Sequence, residues 1–169
     1  KTGCFSIGAL NIVDENIKLP QILILSPTRE LSYQIKVVLD NLSKYMKNLN
    51  IQLFVGGTSR DSDFENIKMN IPHILVGCPG RIYDIFNRKL IQVDSIKYII
   101  MDEADELLSF GFKDQIYNIF NFLPEKIQIS LFSATIPNDL YYIINNIMVD
   151  PVNISVKSNM LTLDGIKQY

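Results

Sequence analysis

Asp102-Glu103-Ala104-Asp105 places three carboxylates within four residues, directly after the apolar run Ile96-Lys97-Tyr98-Ile99-Ile100-Met101. Such a run reads as a strand buried on both faces, so acids belong where it emerges. In an open α/β sheet that carboxyl edge is where ligands bind. Asp102 there suits a Mg²⁺-nucleotide, because Mg²⁺ takes few protein carboxylates and keeps water and phosphate in the rest of its shell. Glu103, one residue on, is placed to orient or deprotonate a water. The same tetrapeptide also fits a solvated acidic helix start, since acids favour helix N-termini. By itself it does not choose between the two readings.

Four further groups stand at the ends of apolar runs. Pro27-Thr28-Arg29-Glu30-Leu31 follows the run 21–25 and opens a helix, where backbone N–H groups and the helix dipole receive a phosphate oxygen. An ordinary capped start, with Ser26 or Thr28 as N-cap and Arg29 solvated, accounts for the same residues. Gly56-Gly57 after the run 51–55 permits close backbone approach, or a plain turn. In Cys78-Pro79-Gly80-Arg81, Pro79 fixes a turn, Gly80 allows close approach, and Arg81 stands at the start of a helix over 82–87. Ser133-Ala134-Thr135 ends the run 127–132, so its hydroxyls are expected beside Asp102 and Asp105. They also fit an N-cap pair before a helix. The lone His73 precedes the run 74–77, opposite the expected ligand edge, and reads as a strand-end residue.

The elements that must position these groups follow from periodicity. Apolar, β-branched runs at 21–25, 51–55, 74–77, 96–101, 127–132 and 152–156 alternate with segments of helical period, which predicts an α/β fold with a parallel sheet. A helix over 30–45 carries Leu31, Ile35, Val38, Leu39 and Leu42 on one face, and Pro137 reads as the first-turn proline of a helix running to about 148. Asp150-Pro151 breaks that helix, and Lys157-Ser158-Asn159 reads as an exit into a linker.

At 169 residues the chain is one domain, long enough to bury roughly 70% of the surface its unfolded form exposes. Its two cysteines, Cys4 and Cys78, lack metal or disulfide spacing and point to a reducing compartment, cytoplasmic or nuclear. No signal peptide or apolar run of membrane-crossing length is present, so no membrane partner is expected. The net charge of −2 and pI near 5.4 argue against a broad basic field, so any nucleic-acid contact is local.

Taken in order, Pro27-Thr28-Arg29-Glu30-Leu31, Gly56-Gly57, Cys78-Pro79-Gly80-Arg81, Asp102-Glu103-Ala104-Asp105 and Ser133-Ala134-Thr135 resemble the first RecA-like domain of DEAD-box RNA helicases. Gly111-Phe112-Lys113-Asp114-Gln115-Ile116-Tyr117 and Leu161-Thr162-Leu163-Asp164-Gly165-Ile166-Lys167-Gln168-Tyr169 are most similar to the translation initiation factor 4A branch, including its exon-junction relative. The resemblance implies a three-layer RecA-like P-loop NTPase domain over 1–156, then a linker over 157–169 leading into a second RecA-like domain. It implies an ATP-dependent RNA helicase using ATP and Mg²⁺ on single-stranded RNA or short duplexes, in translation initiation or RNA processing. Lys1-Thr2 matches the end of a phosphate-binding loop, Lys1 on the β/γ-phosphates and Thr2 on the metal, although a basic residue beside Thr is a commonplace. Phe5-Ser6-Ile7-Gly8-Ala9-Leu10, similar to the helix after that loop, favours the match.

On the same resemblance Asp102 binds Mg²⁺ through water and Glu103 activates the attacking water. Asp105, Ser133 and Thr135 couple nucleotide state to domain closure. Pro27, Thr28, Arg29, Gly56, Gly57, Pro79, Gly80 and Arg81 form the RNA surface. Cys78 departs from the usual Thr and is a weaker donor, so one hydrogen bond, to RNA or to the local turn, is in doubt. The implied partners are RNA, the second domain, and a translation-initiation scaffold or exon-junction proteins. Two alternatives keep the motifs: an ATP-dependent RNA clamp with slow turnover, and a P-loop ATPase acting on DNA or protein.

Overall fold

Ile22, Leu23, Ile24 and Leu25 are all sealed from solvent, which a strand achieves only when both faces of its sheet are covered. The computed structural model, which describes residues 1–108 and 111–155, places them as β1 (Ile22–Leu25) at the centre of a five-stranded sheet. Around it lie β2 (Ile51–Phe54), β3 (Ile74–Gly77), β4 (Tyr98–Asp102) and β5 (Gln128–Phe132), in the order β2-β3-β1-β4-β5. Every pairing is parallel, with Ile22 opposite Ile74 and Tyr98, and Asp102 opposite Phe132.

The strand period of two sends alternate side chains into two separate cores. Leu23, Leu25, Leu75, Ile99 and Met101 face α4 (Pro79–Asn87), α5 (Ala104–Leu107) and α6 (Lys113–Phe120). Ile22, Ile24, Ile74, Val76 and Ile100 face α1 (Thr2–Ile12) and α2 (Arg29–Leu42), through Phe5, Ala9, Ile35 and Leu39. Each fully buried Ile, Leu or Phe contributes about 1.5–3 kcal/mol, so helices with one apolar stripe are enough to hold the layers. α3 (Arg60–Met69) and α7 (Asn138–Ile147) complete the elements among the described residues. No helix among the described residues is long and apolar enough to cross a membrane.

Several predicted boundaries move. Of the run 152–156, residues 152–155 form no strand and 156 lies outside the described residues; Val152 and Ile154 are 88% and 91% exposed. β-branched composition does not make a strand without a partner's hydrogen bonds. α4 begins at Pro79, three residues before the expected 82, because the fixed φ of proline is already helical at the first position. Pro137, by contrast, is the N-cap of α7 and lies just outside it, with ψ 159°. α2 ends at Leu42 rather than 45, and β4 starts at Tyr98 and includes Asp102. The expected linker over 157–169 lies outside the described residues.

Candidate functional site

All five strands point their carboxyl ends at one edge, and the order of the strands divides that edge. β4 and β5 deliver Asp102 and Ser133-Ala134-Thr135 to one half; β2, β3 and β1 deliver Gly56-Gly57, Cys78-Pro79-Gly80-Arg81 and Pro27-Thr28-Arg29 to the other.

On the acidic half, Asp102 is 2% exposed, and its Oδ1 accepts the Glu103 N–H at 3.1 Å. Burial raises its carboxyl above the ordinary aspartate range, against the lowering effect of that bond. Glu103 has φ 49° and ψ 56°, a left-handed backbone that non-glycine residues adopt at a cost of about 1–2 kcal/mol. This kink ends β4 and starts α5, turning the Glu103 side chain out of the strand line. Lys1, the N-cap of α1, reaches across so that Nζ lies 2.9 Å from Glu103 Oε1. α1 is placed for this by Phe5, whose ring centroid is 5.1 Å from that of Phe132 at the end of β5. Thr2 is the first residue of the helix, half-buried beside Lys1.

Thr135 Oγ1 donates to Asp105 Oδ2, and Ser133 Oγ donates to the Thr135 carbonyl. Burial pushes the Asp105 carboxyl up, but bonds from Thr135, Ser133 and the Glu106 N–H outweigh it and leave it below the usual range. The hydroxyls therefore bind the acidic motif rather than capping α7, which has no side-chain cap. Among the described residues no three His, Cys, Asp or Glu side chains converge on one point. One buried carboxylate, with a Thr hydroxyl and a Lys nearby, fits Mg²⁺ that arrives on a nucleotide and keeps water and phosphate as its other ligands.

The other half is a cleft of about 740 Å³ lined by Pro27, Thr28, Arg29, Gly56, Gly57, Gly80 and Arg81. Pro79 alone of the predicted residues is absent from its wall, being buried in the first turn of α4. Thr28 is the N-cap of α2 and accepts the Leu31 N–H at 3.2 Å, so the capping reading holds, while Arg29 remains exposed. The Arg29 guanidinium lies across the glycine pair: a Cβ on Gly56 would stand 3.3 Å from its Nη2, and one on Gly57 would overlap Nη1. Gly57 also has φ +85°, so glycine serves both shape and packing there.

Cys78 Sγ lies 3.6 Å from Ser32 Oγ, which is 2.6 Å from Ser26 Oγ. The thiol thus ends a local chain of side-chain contacts, and burial raises its pKa. Arg81 is buried on Asp63 and the Thr58 carbonyl instead of standing free. Phe112 and Gln115, which sequence reasoning left out of the site, also line the cleft. Gln115 Oε1 is buried without a hydrogen-bond partner. The stretch 111–117 carried the available signal, as a branch resemblance only. His73 sits at the far edge as expected, with Nδ1 accepting the Asn50 N–H at 3.0 Å.

A parallel α/β sheet that carries a buried Asp102, a half-buried Glu103 and a separate cleft along one carboxyl edge has the architecture of a ligand-binding α/β domain. The chain belongs to the DEAD/DEAH box helicase family, whose model matches residues 1–143. It is 50% identical over 169 residues to the ATP-dependent RNA helicase eIF4A of Kluyveromyces lactis and 48% to that of Meyerozyma guilliermondii, all of this chain and 42% of each relative. The chain therefore spans less than half the length of these relatives. Among solved structures, Dbp5 of S. cerevisiae bound to RNA and ADP BeF3 matches 99% of this chain and 41% of its own, with TM-score 0.86 and 32% identity. A DEAD box protein from Methanococcus jannaschii matches 88% of this chain and 40% of its own, with TM-score 0.81 and 36% identity.

Proposed function

We propose that this chain is the nucleotide-binding and RNA-binding first domain of an initiation factor 4A-like RNA helicase that hydrolyses ATP with Mg²⁺. The observation that carries the reading is the shared sheet edge, with Asp102 and Glu103 on one half and the Arg29–glycine cleft on the other. Dbp5, its structural neighbour, binds RNA and ADP BeF3.

Lys1 and Thr2 would hold phosphate and the metal shell, and Asp102 would hold Mg²⁺. An ion held there would supply charge neutralisation at the phosphates. Glu103 takes the proton of the attacking water, its carboxylate held by Lys1 until nucleotide phosphate draws that ammonium away. Asp105, tied to Thr135 and Ser133, transmits nucleotide state to the end of β5. Thr28, Arg29, Gly57, Gly80 and Arg81 meet the sugar-phosphate backbone, with Pro27 and Gly56 shaping the wall and Pro79, buried behind it, fixing the first turn of α4. Such contacts carry no base information, so RNA binding is independent of sequence. The partners are RNA, a second RecA-like domain and a translation-initiation scaffold.

The deciding experiment is steady-state ATP hydrolysis by the full-length protein with Glu103→Gln. Nucleotide binding is expected to persist while turnover falls ~10²–10⁴-fold, the range for loss of a positioned base. Normal turnover would remove Glu103 from the reaction.

A further inference from the structure

Arg81 lines the cleft, yet much of its guanidinium is already engaged. Nη1 lies 3.1 Å from Asp63 Oδ2, and Nη2 donates to the Thr58 carbonyl at 2.6 Å and lies 3.3 Å from Thr58 Oγ1. The Arg81 and Asp63 side chains are only 7% and 10% exposed. Thr58 follows Gly56-Gly57 directly, and its hydroxyl donates back to the Val55 carbonyl at 3.0 Å. One guanidinium therefore joins α4, the first turn of α3 and the glycine turn that forms a wall of the cleft. Asp84, the next acid on α4, has its own cations in Arg88 at 3.0 Å and Arg60 at 3.4 Å.

A turn built on two glycines, one at φ +85°, has wide conformational freedom and needs an outside constraint to keep one shape. The buried ion pair supplies it. Losing the acid would leave a buried guanidinium without its counter-charge, and that group would swing toward other acceptors or water.

We propose that Asp63 is a positioning residue for RNA binding. By holding the Arg81 guanidinium against the Thr58 carbonyl, it fixes the Gly56-Gly57-Thr58 turn in the shape that receives the sugar-phosphate backbone, without touching RNA. This inference rests on the reading of the cleft as the RNA site.

The sign of one substitution tests it. Removing a negative charge beside a polyanion should by itself tighten binding. Asp63→Asn is instead expected to weaken it by about 10-fold, mid-range for coupled neighbours. Asp61→Asn removes an exposed acid two residues earlier on α3 and should leave affinity unchanged or tighter. Affinity for labelled oligouridine would be measured by anisotropy on the full-length protein with a non-hydrolysable ATP analogue, beside thermal melts. In an Arg81→Gln background, Asp63→Asn should weaken binding no further. A folded Asp63→Asn protein that binds RNA as tightly as wild type, or more tightly, overturns the proposal.

If Asp63→Asn gives no cooperative melt, Arg81→Gln and the double variant still decide. Burial already raises the Asp63 carboxyl, against the opposing Arg81, and the double variant removes both charges of the pair. Equal affinities support the inference; a double variant that binds more tightly than Arg81→Gln overturns it. Arg29→Ala separates the two levels. If it leaves RNA binding intact, the cleft reading itself fails. If it weakens binding while Asp63→Asn does not, only the positioning role fails.

Discussion

Asp102 and Glu103 are neighbours in sequence with opposite backbone and solvent relations, and substitution should separate them. Burial resists charge on Asp102. A carboxyl raised in the folded state binds more protons there than in the unfolded chain, so its contribution to stability falls as pH rises through the window between the two values. Asp102→Asn should therefore raise the melting temperature at neutral pH, by about 2–4 °C for each kcal/mol recovered, while Mg²⁺-dependent nucleotide binding is lost. Calorimetry with and without Mg²⁺-nucleotide checks both halves, and a lowered melting temperature would contradict the assignment. At the proposed RNA cleft, Arg29 is an exposed cation seated on the glycine turn, and Arg29→Ala should reduce the magnitude of the log-affinity against log-salt slope by about 0.7, one single-strand phosphate contact. The loss should be the same for unrelated RNA sequences, which titrations on two oligonucleotides at four salt concentrations would show.

At the scale of elements, the glycine turn between β2 and α3 is the joint on which the cleft depends. Gly57→Ala meets two obstacles, the φ of +85° and the Arg29 guanidinium where the new Cβ would stand. The backbone cost is about 1–2 kcal/mol, and Arg29 must leave its seat. Gly57→Ala is thus expected to lower stability by that amount and weaken RNA binding together, read from denaturant melts and anisotropy. Intact RNA affinity in the destabilised protein would show that Arg29 does not depend on this turn. Gly77→Ala offers the contrast: its Cβ would overlap the Phe54 carbonyl inside the β2–β3 pair, so stability should fall without a specific effect on RNA.

For the molecule as a whole, stability and turnover depend on ends of the sheet that lie far apart. His73 is 2% exposed at the amino edge, and burial holds its pKa below the ordinary value, against the raising effects of the Asn50 bond, Glu15 and Asp14. A folded-state pKa below the unfolded one means stability is complete above about pH 6.5 and is lost as pH falls toward the folded value. His73→Gln should flatten that acid limb, which melts between pH 5 and 8 would reveal. On the proposed mechanism, with closure against a partner surface, residues 1–169 alone should show little RNA-stimulated ATP hydrolysis beside the full-length protein. An arginine supplied from outside a nucleotide site is worth ~10³–10⁵ in rate. Comparable rates for the two would refute a closure mechanism.

The sequence by itself determined the alternation of elements, the parallel class of the sheet and the order of the motifs, because buried parallel strands need unbroken apolar runs such as Ile22–Leu25 and Tyr98–Met101. It also placed charge at strand ends, since no acid survives mid-strand in that core. Which strands are neighbours was not legible, for β-branched runs are interchangeable until they pair: 152–155 looked like a strand and is none. The left-handed Glu103, the Lys1–Glu103 bridge across 102 residues and the seating of Arg29 on Gly57 were decided only by packing. Arg81 shows the difference most plainly. In sequence it is a cation at a helix start, and whether it faces RNA or an acid depends on Asp63, eighteen residues away, which the fold brings within 3.1 Å and out of water.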